Sequence, residues 1–427
     1  MQKRREFLKQ AGIAGSLLSL APLSSMATSF THSSSSLTGI PLSPPSADDD
    51  FWAWVQEAYT ESPSLINLNN GGVSPQPKTV QEVFEHYNRM CNEAPSYYMW
   101  RILDKGRESL RTKLADLAGC HTEEICINRN TTEALGTVVF GLNLKKGDEV
   151  VLSKYDYPNM MNALKQREKR DGIVLKWVEL DMPTENDEII VKKYTEQFTP
   201  NTKLVLITHI INWTGQILPA KKIADAAKAK GIEVMVDGAH SFAHLQFKIN
   251  ELNCDYFGTS LHKWLCSPFG SGLLYVRKEK IKNLWPLFPS DNPQSEDIRK
   301  FEALGTRSFA TEQAISQAID FHNAIGAKRK EDRLRFLKNY WMEKVKPMKG
   351  VKFYTSSKPE FSCALTTIGI EGKDAGELES SLLSKYNIHT TPVKYEKVNG
   401  VRITPHVYTK LSDLDRLVNA FKELTNS

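Results

Sequence analysis

The fold of this chain is organised around the stretch Tyr256-Phe-Gly-Thr-Ser-Leu-His-Lys-Trp-Leu-Cys-Ser-Pro-Phe-Gly-Ser-Gly-Leu-Leu-Tyr275. Its one lysine, Lys263, stands between an apolar, strand-like run and a turn marked by glycine and proline. Apolar neighbours such as Leu261 and Trp264 indicate a packed site rather than the solvated surface that is usual for a lysine. Burial makes an ammonium easier to deprotonate, and only the neutral amine is a nucleophile. The stretch therefore predicts a reactive lysine next to a buried strand.

On both sides of this stretch, short runs rich in valine, isoleucine and leucine alternate with helical patterns. The predicted strands of this region are 125–128, 149–153, 173–178, 204–208, 234–237, 256–260 and 272–276. Such runs separated by helices indicate an α/β fold with a mainly parallel sheet that is covered on both faces. Ligands of these sheets bind at the carboxyl ends of the strands.

The pattern changes after Phe309, where a long helical stretch is predicted over 311–348, followed by strands near 361–370 and 401–405. A chain of 427 residues is long enough for a large domain and a smaller one. We therefore predict an N-terminal segment and large α/β domain over 48–310, and a small C-terminal α+β domain over 311–427.

The first 27 residues have the pattern of an export signal. Arg4 and Arg5 precede Phe7-Leu-Lys9, an apolar run over 11–23, and small residues around Ala27. This matches the bacterial twin-arginine pattern, so we predict a signal peptide over 1–27, a flexible linker over 28–47 and export to the periplasm. An uncleaved amphipathic anchor is the alternative, and no later apolar run approaches transmembrane length.

Composition argues against several classes of partner. The 55 basic and 50 acidic residues leave a formal charge of +5, part of which lies in the first ten residues. No later stretch clusters lysine and arginine with aromatic residues, so no nucleic-acid surface is predicted. The six cysteines include no CxxC pair, and so carry no zinc or redox signature.

Asp237 ends the predicted strand 234–237. A carboxylate at the end of a buried strand is costly unless it meets a cation, such as the protonated nitrogen of a pyridine ring. A helix cap or a metal ligand is the alternative. His240 follows three residues later and His244 one turn further, so the two histidines could bind a metal, but no third ligand is apparent.

An anion site is predicted where Asn130-Thr131-Thr132 begins a helix, because free N–H groups and hydroxyls meet there. Alone, the motif would be only a helix cap. Ser260 and His262, just before the reactive lysine, could add donors to the same phosphate.

Two further residues fit a ring. Tyr157 could lie flat on an aromatic ring, and Asn212 could donate to a ring oxygen, although each alone could be structural. With Asp237, Lys263 and the anion site, they require an aromatic nitrogen heterocycle with a phosphate and an aldehyde. That ligand is pyridoxal 5'-phosphate.

The order of these motifs resembles the class V aminotransferases, which are pyridoxal-phosphate enzymes of fold type I. The segments His262-Lys-Trp-Leu-Cys-Ser-Pro-Phe-Gly-Ser-Gly and Leu304-Gly-Thr-Arg-Ser308 are similar to the isopenicillin N epimerase-like branch of that family. The resemblance covers roughly residues 60–425.

This resemblance implies a role for each matching residue. Lys263 would form the Schiff base with the cofactor and move protons at the substrate Cα, and Arg402 would bind the substrate carboxylate. Cofactor contacts are implied for Asp237 at the ring nitrogen, Tyr157 on the ring face, Asn212 and His240 at the ring hydroxyl, and Thr131, Thr132, Ser260 and His262 at the phosphate. Thr306 would reach the phosphate of the other subunit, which implies a homodimer.

The resemblance leaves the reaction open. Epimerisation at the Cα of an amino acid or small peptide is favoured, with amino transfer to a keto acid or C–S lyase chemistry as alternatives. Cysteine desulfurases carry a reactive cysteine ahead of the substrate-binding arginine, whereas the segment 390–399 has none, which disfavours that chemistry. A metal hydrolase and a non-catalytic binding protein are the less favoured interpretations. Candidates for contact with the substrate side chain are 69–72, 97–101, Arg307 and the loop near Tyr395.

Overall fold

The computed structural model describes residues 49–426. The helices and strands of this part, in chain order, are α1 (Asp49–Glu57), β1 (Ile66–Asn67), α2 (Lys78–Glu93), α3 (Arg107–Ala118), β2 (Ile125–Asn128), α4 (Thr131–Gly141), β3 (Glu149–Ser153), α5 (Pro158–Asp171), β4 (Val174–Val178), α6 (Asp187–Thr195), β5 (Thr202–Thr208), α7 (Ala220–Lys228), β6 (Glu233–Asp237), β7 (Tyr256–Ser260), β8 (Gly272–Val276), α8 (Lys278–Ile281), α9 (Phe309–Ile325), α10 (Ala327–Val345), β9 (Val351–Phe353), β10 (Thr366–Ile370), α11 (Ala375–Tyr386), β11 (Ile388–His389), β12 (Thr391–Tyr395), β13 (Val398–Ile403) and α12 (Leu411–Asn426). None of these helices is long and apolar enough to cross a membrane. The predicted signal peptide 1–27 and linker 28–47 lie outside the described residues.

A seven-stranded sheet runs in the order β2-β8-β7-β6-β5-β3-β4. Every pairing in it is parallel except the two made by β8. The predicted α/β fold with a mainly parallel sheet is therefore confirmed. The register sets Asp237 opposite Thr208 on one side and Gly258 on the other, so three carboxyl ends meet at one edge.

Helices cover this sheet, as the continuous apolar strands require. Helix α4 lies against β7 and β8 and begins at the edge where the parallel strands end. Its close approach depends on Gly258, because a Cβ there would lie 2.7 Å from Leu135 Cδ2. A larger residue at this position would push the start of α4 away from the carboxyl edge.

The C-terminal part contains a four-stranded antiparallel sheet in the order β12-β13-β10-β9. The N-terminal segment joins this region, because β1 pairs in parallel with β11 and Asn69 bridges Thr404. The amide N–H of Gly71 also donates to Thr404 Oγ1 at 2.9 Å. The domain limits at 48–310 and 311–427 stay a prediction.

The helical stretch predicted over 311–348 is present, but it is divided into two helices, α9 and α10. Gly326 adopts φ 88° and separates α9 from α10. Glycine has little steric cost in this conformation, which explains why the helix ends there although the flanking residues favour helix. The strands near 361–370 and 401–405 are present with shifted limits, as β10 and β13.

Candidate active site

Ten of the eleven predicted site residues line one cavity at the carboxyl edge of the large sheet; Thr306 is the exception. The cavity has a volume of about 330 Å³ and is lined by Gly71, Gly72, Asn130, Thr131, Thr132, Tyr157, Thr208, Asn212, Asp237, Ala239, His240, Ser260, His262, Lys263 and Arg402. Thr306 is exposed and lies outside this lining. Its implied role concerns another subunit and stays a prediction.

Lys263 follows the end of β7 and extends its amine into the cavity. Its Nζ lies 3.4 Å from His240 Nε2 and 6.0 Å from the centre of the Tyr157 ring. Burial lowers the pKa of Lys263 to about 8, Asp237 opposes that shift, and Arg402 adds to it. A substantial fraction of this amine is therefore neutral near physiological pH, as a nucleophile or proton acceptor requires.

This shift predicts the reactivity of the cofactor-free protein. Acetylation of Lys263 by acetic anhydride should reach half its maximal rate near pH 8, whereas an ordinary lysine does so near pH ~10.4. Peptide mass spectrometry across a pH series measures this. Because Asp237 raises the pKa of Lys263, the Asp237→Asn variant should move the midpoint to lower pH. A wild-type midpoint above about 10 would contradict the proposed environment.

Asp237 is the last residue of β6 and is buried at the floor of the cavity. Its Oδ1 accepts a hydrogen bond from the Ala239 N–H at 2.9 Å. Burial raises the pKa of Asp237, and among residues 49–426 Lys263 is the one cation that acts to lower it. A buried carboxylate without an ion-pair partner fits a ligand that brings a cation, such as a protonated ring nitrogen.

A second group of lining residues offers donors to an anion. Asn130 caps α4, since its side chain accepts a hydrogen bond from the Glu133 N–H at 2.9 Å. The first residues of this helix line the cavity. Ser260 Oγ lies 2.7 Å from Thr131 Oγ1 and accepts from the Thr131 N–H at 3.0 Å. Hydroxyls at the positive end of a helix suit a phosphate group.

His262 differs from the simple donor that the sequence suggests. Its Nδ1 lies 3.1 Å from the carbonyl oxygen of Ser271, and a carbonyl can only accept, so Nδ1 carries the hydrogen. Burial, assisted by Lys263, lowers the pKa of His262 to about 4. The neutral ring therefore turns a lone pair at Nε2 away from Ser271. To donate to a phosphate, His262 must first take up a proton.

Arg402, on β13, is buried at 8% exposure. Its guanidinium donates to the Asn212 carbonyl at 3.1 Å and to Asn69 Oδ1 at 3.0 Å, while its Nε has no partner. Burial lowers the pKa of Arg402 to about 10, and among the described residues Tyr157, rather than a carboxylate, opposes that shift. A buried guanidinium without a carboxylate partner suits a carboxylate ligand.

The ring region supplies the aromatic and amide groups. Tyr157 lies just before α5 and is 37% exposed, with its ring at the cavity. The buried Oδ1 of Asn212 has no hydrogen-bond partner. An unpartnered buried amide is costly, so a polar ligand atom is expected beside it. These residues fit the predicted cofactor, although their individual contacts with it stay predictions.

Two lining residues, Thr208 and Ala239, were not predicted as part of the site. The sequence predicts Thr208 at the end of a strand, β5, but not its place beside Asp237; its hydroxyl donates to the buried Asp156 carboxylate at 2.6 Å. Gly71 and Gly72 lie in the segment proposed for substrate contact. The other candidates for that contact do not line the cavity: Arg307 pairs with Glu312 and Asp104, the Tyr395 ring stacks on Trp213, and 97–101 forms part of a π-helical turn.

His244, one of the two histidines considered as metal ligands, has no free ring nitrogen. His244 Nδ1 lies 2.7 Å from the His240 carbonyl, and its Nε2 accepts from the Ala364 N–H at 3.1 Å. Both ring nitrogens of His244 are therefore engaged. Within residues 49–426, no group of three histidine, cysteine, aspartate or glutamate side chains is arranged to hold a metal ion.

Comparisons with known proteins agree with this geometry. The family model described as "Aminotransferase class-V" matches residues 66–417. An isopenicillin N epimerase from Amycolatopsis lactamdurans is 28% identical over 393 residues, which cover 88% of this chain and 98% of that protein. A cysteine desulfurase from Haloferax volcanii is 23% identical over 383 residues, which cover 83% of this chain and 88% of that protein.

A solved structure supports the fold. The apo cysteine desulfurase from Thermococcus onnurineus superposes with a TM-score of 0.77 at 22% identity, covering 88% of this chain and 98% of that one. At this identity the likeness concerns the fold.

Proposed function

Because this chain belongs to the class V aminotransferase family of pyridoxal 5'-phosphate enzymes, we propose that it inverts the configuration at Cα of an amino acid or small peptide. One observation carries the proposal: Lys263 and Arg402 face the same cavity. The first can exchange a proton at Cα, and the second can hold the adjacent carboxylate.

The residues present fit the cofactor. Asp237 would hold the ring nitrogen, and Thr131 with Ser260 would hold the phosphate at the start of α4. When bound, pyridoxal 5'-phosphate withdraws electrons from Cα and so makes its proton acidic.

The protein side chains then handle charge and protons. Arg402 binds the substrate carboxylate with its planar guanidinium, which fixes the orientation of Cα. Lys263, whose pKa burial lowers to about 8, can take a proton at neutral pH and return it. Inversion further requires that the proton returns on the opposite face of Cα.

Epimerisation is preferred to desulfuration for two reasons. Of the two relatives compared above by sequence, the isopenicillin N epimerase has the higher identity and is covered over 98% of its length, against 88% for the cysteine desulfurase. In addition, no cysteine lines the cavity, and burial raises the pKa of the Cys363 thiol to about 12. A thiol that stays protonated is a poor nucleophile.

Incubation in deuterated water without a keto acid tests the proposal. L- and D-amino acids and small peptides are screened by chiral chromatography and mass spectrometry. We expect at least one substrate to gain deuterium at Cα and to invert, while Lys263→Ala does neither. Turnover only when a keto acid is added would instead establish an aminotransferase, and release of sulfur from cysteine or cystine would establish a C–S lyase.

We also propose export through the twin-arginine route and a homodimer. The exposed position of Thr306, outside the cavity, supports a contact with a second subunit. Sedimentation velocity of the purified protein tests the dimer, and a monomer at micromolar concentration would refute it.

A further inference from the structure

The indole of Trp264 is fully buried behind the cavity at 0% exposure. Its ring stacks on His244 with centres 3.7 Å apart and an interplanar angle of 16°, and on His406 at 5.6 Å and 18°. The indole Nε1 donates to His240 Nδ1 at 3.4 Å. Trp264 thus follows Lys263 in the sequence and is hydrogen-bonded to His240, which lines the cavity.

This hydrogen bond determines which nitrogen of His240 carries the hydrogen. An indole N–H can only donate, so Nδ1 of His240 must offer a lone pair. Burial lowers the pKa of His240, and Lys263, Arg402 and His244 lower it further. The ring is therefore neutral, and its single hydrogen lies on Nε2.

The Nε2–H of His240 faces the amine of Lys263 at 3.4 Å. This N–H can donate a hydrogen bond to the lone pair of a neutral amine. It cannot do so to an ammonium, which has only N–H donors, and so it favours the neutral form of Lys263. Asp237 acts in the opposite direction, since its charge favours the ammonium, and Arg402 disfavours it.

The neighbouring histidine has the other tautomer. His244 Nε2 accepts from the Ala364 N–H, so its hydrogen lies on Nδ1 and is donated to the His240 carbonyl. The backbone of His240 is thus held by His244, while its ring is held by Trp264. The two hydrogen bonds use different donors, so loss of the indole N–H alone can alter the ring without releasing the backbone, provided that an aromatic ring still stacks on His244.

We propose that Trp264 is a positioning residue that fixes the tautomer of His240, and so presents an Nε2–H donor to the reacting amine of Lys263. The role of that amine rests on the proposed function. The tautomer itself does not, and it is measured without any substrate.

The test uses the full-length protein labelled with ¹⁵N-histidine, as isolated and again after the cofactor is removed. Long-range ¹H–¹⁵N correlation spectra report the tautomer, and the His240 signals are assigned by their loss in His240→Gln. In the wild type we expect hydrogen on Nε2 alone. Hydrogen on Nδ1 of the wild-type ring would overturn the proposal without any Trp264 variant.

The Trp264→Phe variant keeps an aromatic ring between His244 and His406 but removes the N–H. We expect His240 to sample both tautomers in this variant. With a lone pair at Nε2, His240 can accept from the Lys263 ammonium, so the midpoint for acetylation of Lys263 should rise by about one pH unit. An unchanged tautomer and midpoint would overturn the proposal.

Trp341 provides a matched control. It is also fully buried, and its Nε1 has no hydrogen-bond partner, but it lies in the core of the C-terminal part. Trp341→Phe should lower thermal stability while leaving the His240 tautomer and the Lys263 midpoint unchanged. If both variants moved the midpoint equally, the effect would be one of general packing and the proposal would fail.

Discussion

Replacing Lys263 with alanine is expected to abolish covalent attachment of the cofactor and to lower turnover by about 10²- to 10⁴-fold. The reason is that the variant has no amine beside His240 to bind the aldehyde or to exchange a proton at Cα. Borohydride treatment followed by peptide mass spectrometry measures the attachment. Single-turnover assays with the substrate found in the inversion screen measure the rate.

A second variant of Lys263 tests whether its nucleophilic amine or its positive charge is needed, and a surface lysine serves as the control. Lys263→Arg keeps a cation of similar length, but a guanidinium stays protonated at neutral pH, so this variant should lose as much turnover as the alanine variant. Lys192, which is 76% exposed at its side chain, provides the surface control. Lys192→Ala should act like the wild type. Turnover of Lys263→Ala within tenfold of wild type would contradict the assignment.

Replacing Arg402 with alanine is expected to lower kcat/KM by about 30- to 4,000-fold. This range corresponds to the loss of about 2–5 kcal/mol that follows when one partner of a buried charged pair is removed. The free protein already holds this guanidinium without a carboxylate partner, so the loss should fall mainly on substrate binding. Steady-state kinetics of the wild type and the variant give the ratio.

An amide analogue of the substrate identifies the group that Arg402 binds. Wild type should discriminate strongly between the free acid and the amide, and Arg402→Ala should treat the two nearly alike. Arg402→Lys should lie between them, because lysine keeps the charge but loses the planar pair of donors. Equal discrimination by the wild type and Arg402→Ala would assign the carboxylate to another residue.

The chemistry-bearing residues were predictable because they follow strands whose apolar pattern is plain. Asp237 and Lys263 come at or just after the ends of β6 and β7, and parallel strands present those ends at one edge. Thr208 was missed because its place beside Asp237 depends on the register between β5 and β6. A single sequence does not contain that register.

Other features depend on contacts between distant parts of the chain. The two-residue strand β11 pairs with β1, more than 300 residues earlier in the chain, and no local pattern marks it. Tyr395 was a reasonable candidate for substrate contact, yet its hydroxyl donates to the Lys154 carbonyl at 2.8 Å. The tautomer of His262 likewise depends on the Ser271 carbonyl, which only the folded loop brings near.

The residues that line the cavity come from three parts of the chain: 71–72, 130–263 and Arg402. The side that receives the cofactor comes from the region between Thr131 and Lys263, whereas Arg402 and the Gly71 turn are brought together by β13. Contacts between such distant segments form late and slowly. The substrate side therefore becomes complete only when the segment after β13 meets the N-terminal segment, where Asn69 bridges Thr404. Until Arg402 is in place, the cavity lacks the residue proposed to bind the substrate carboxylate.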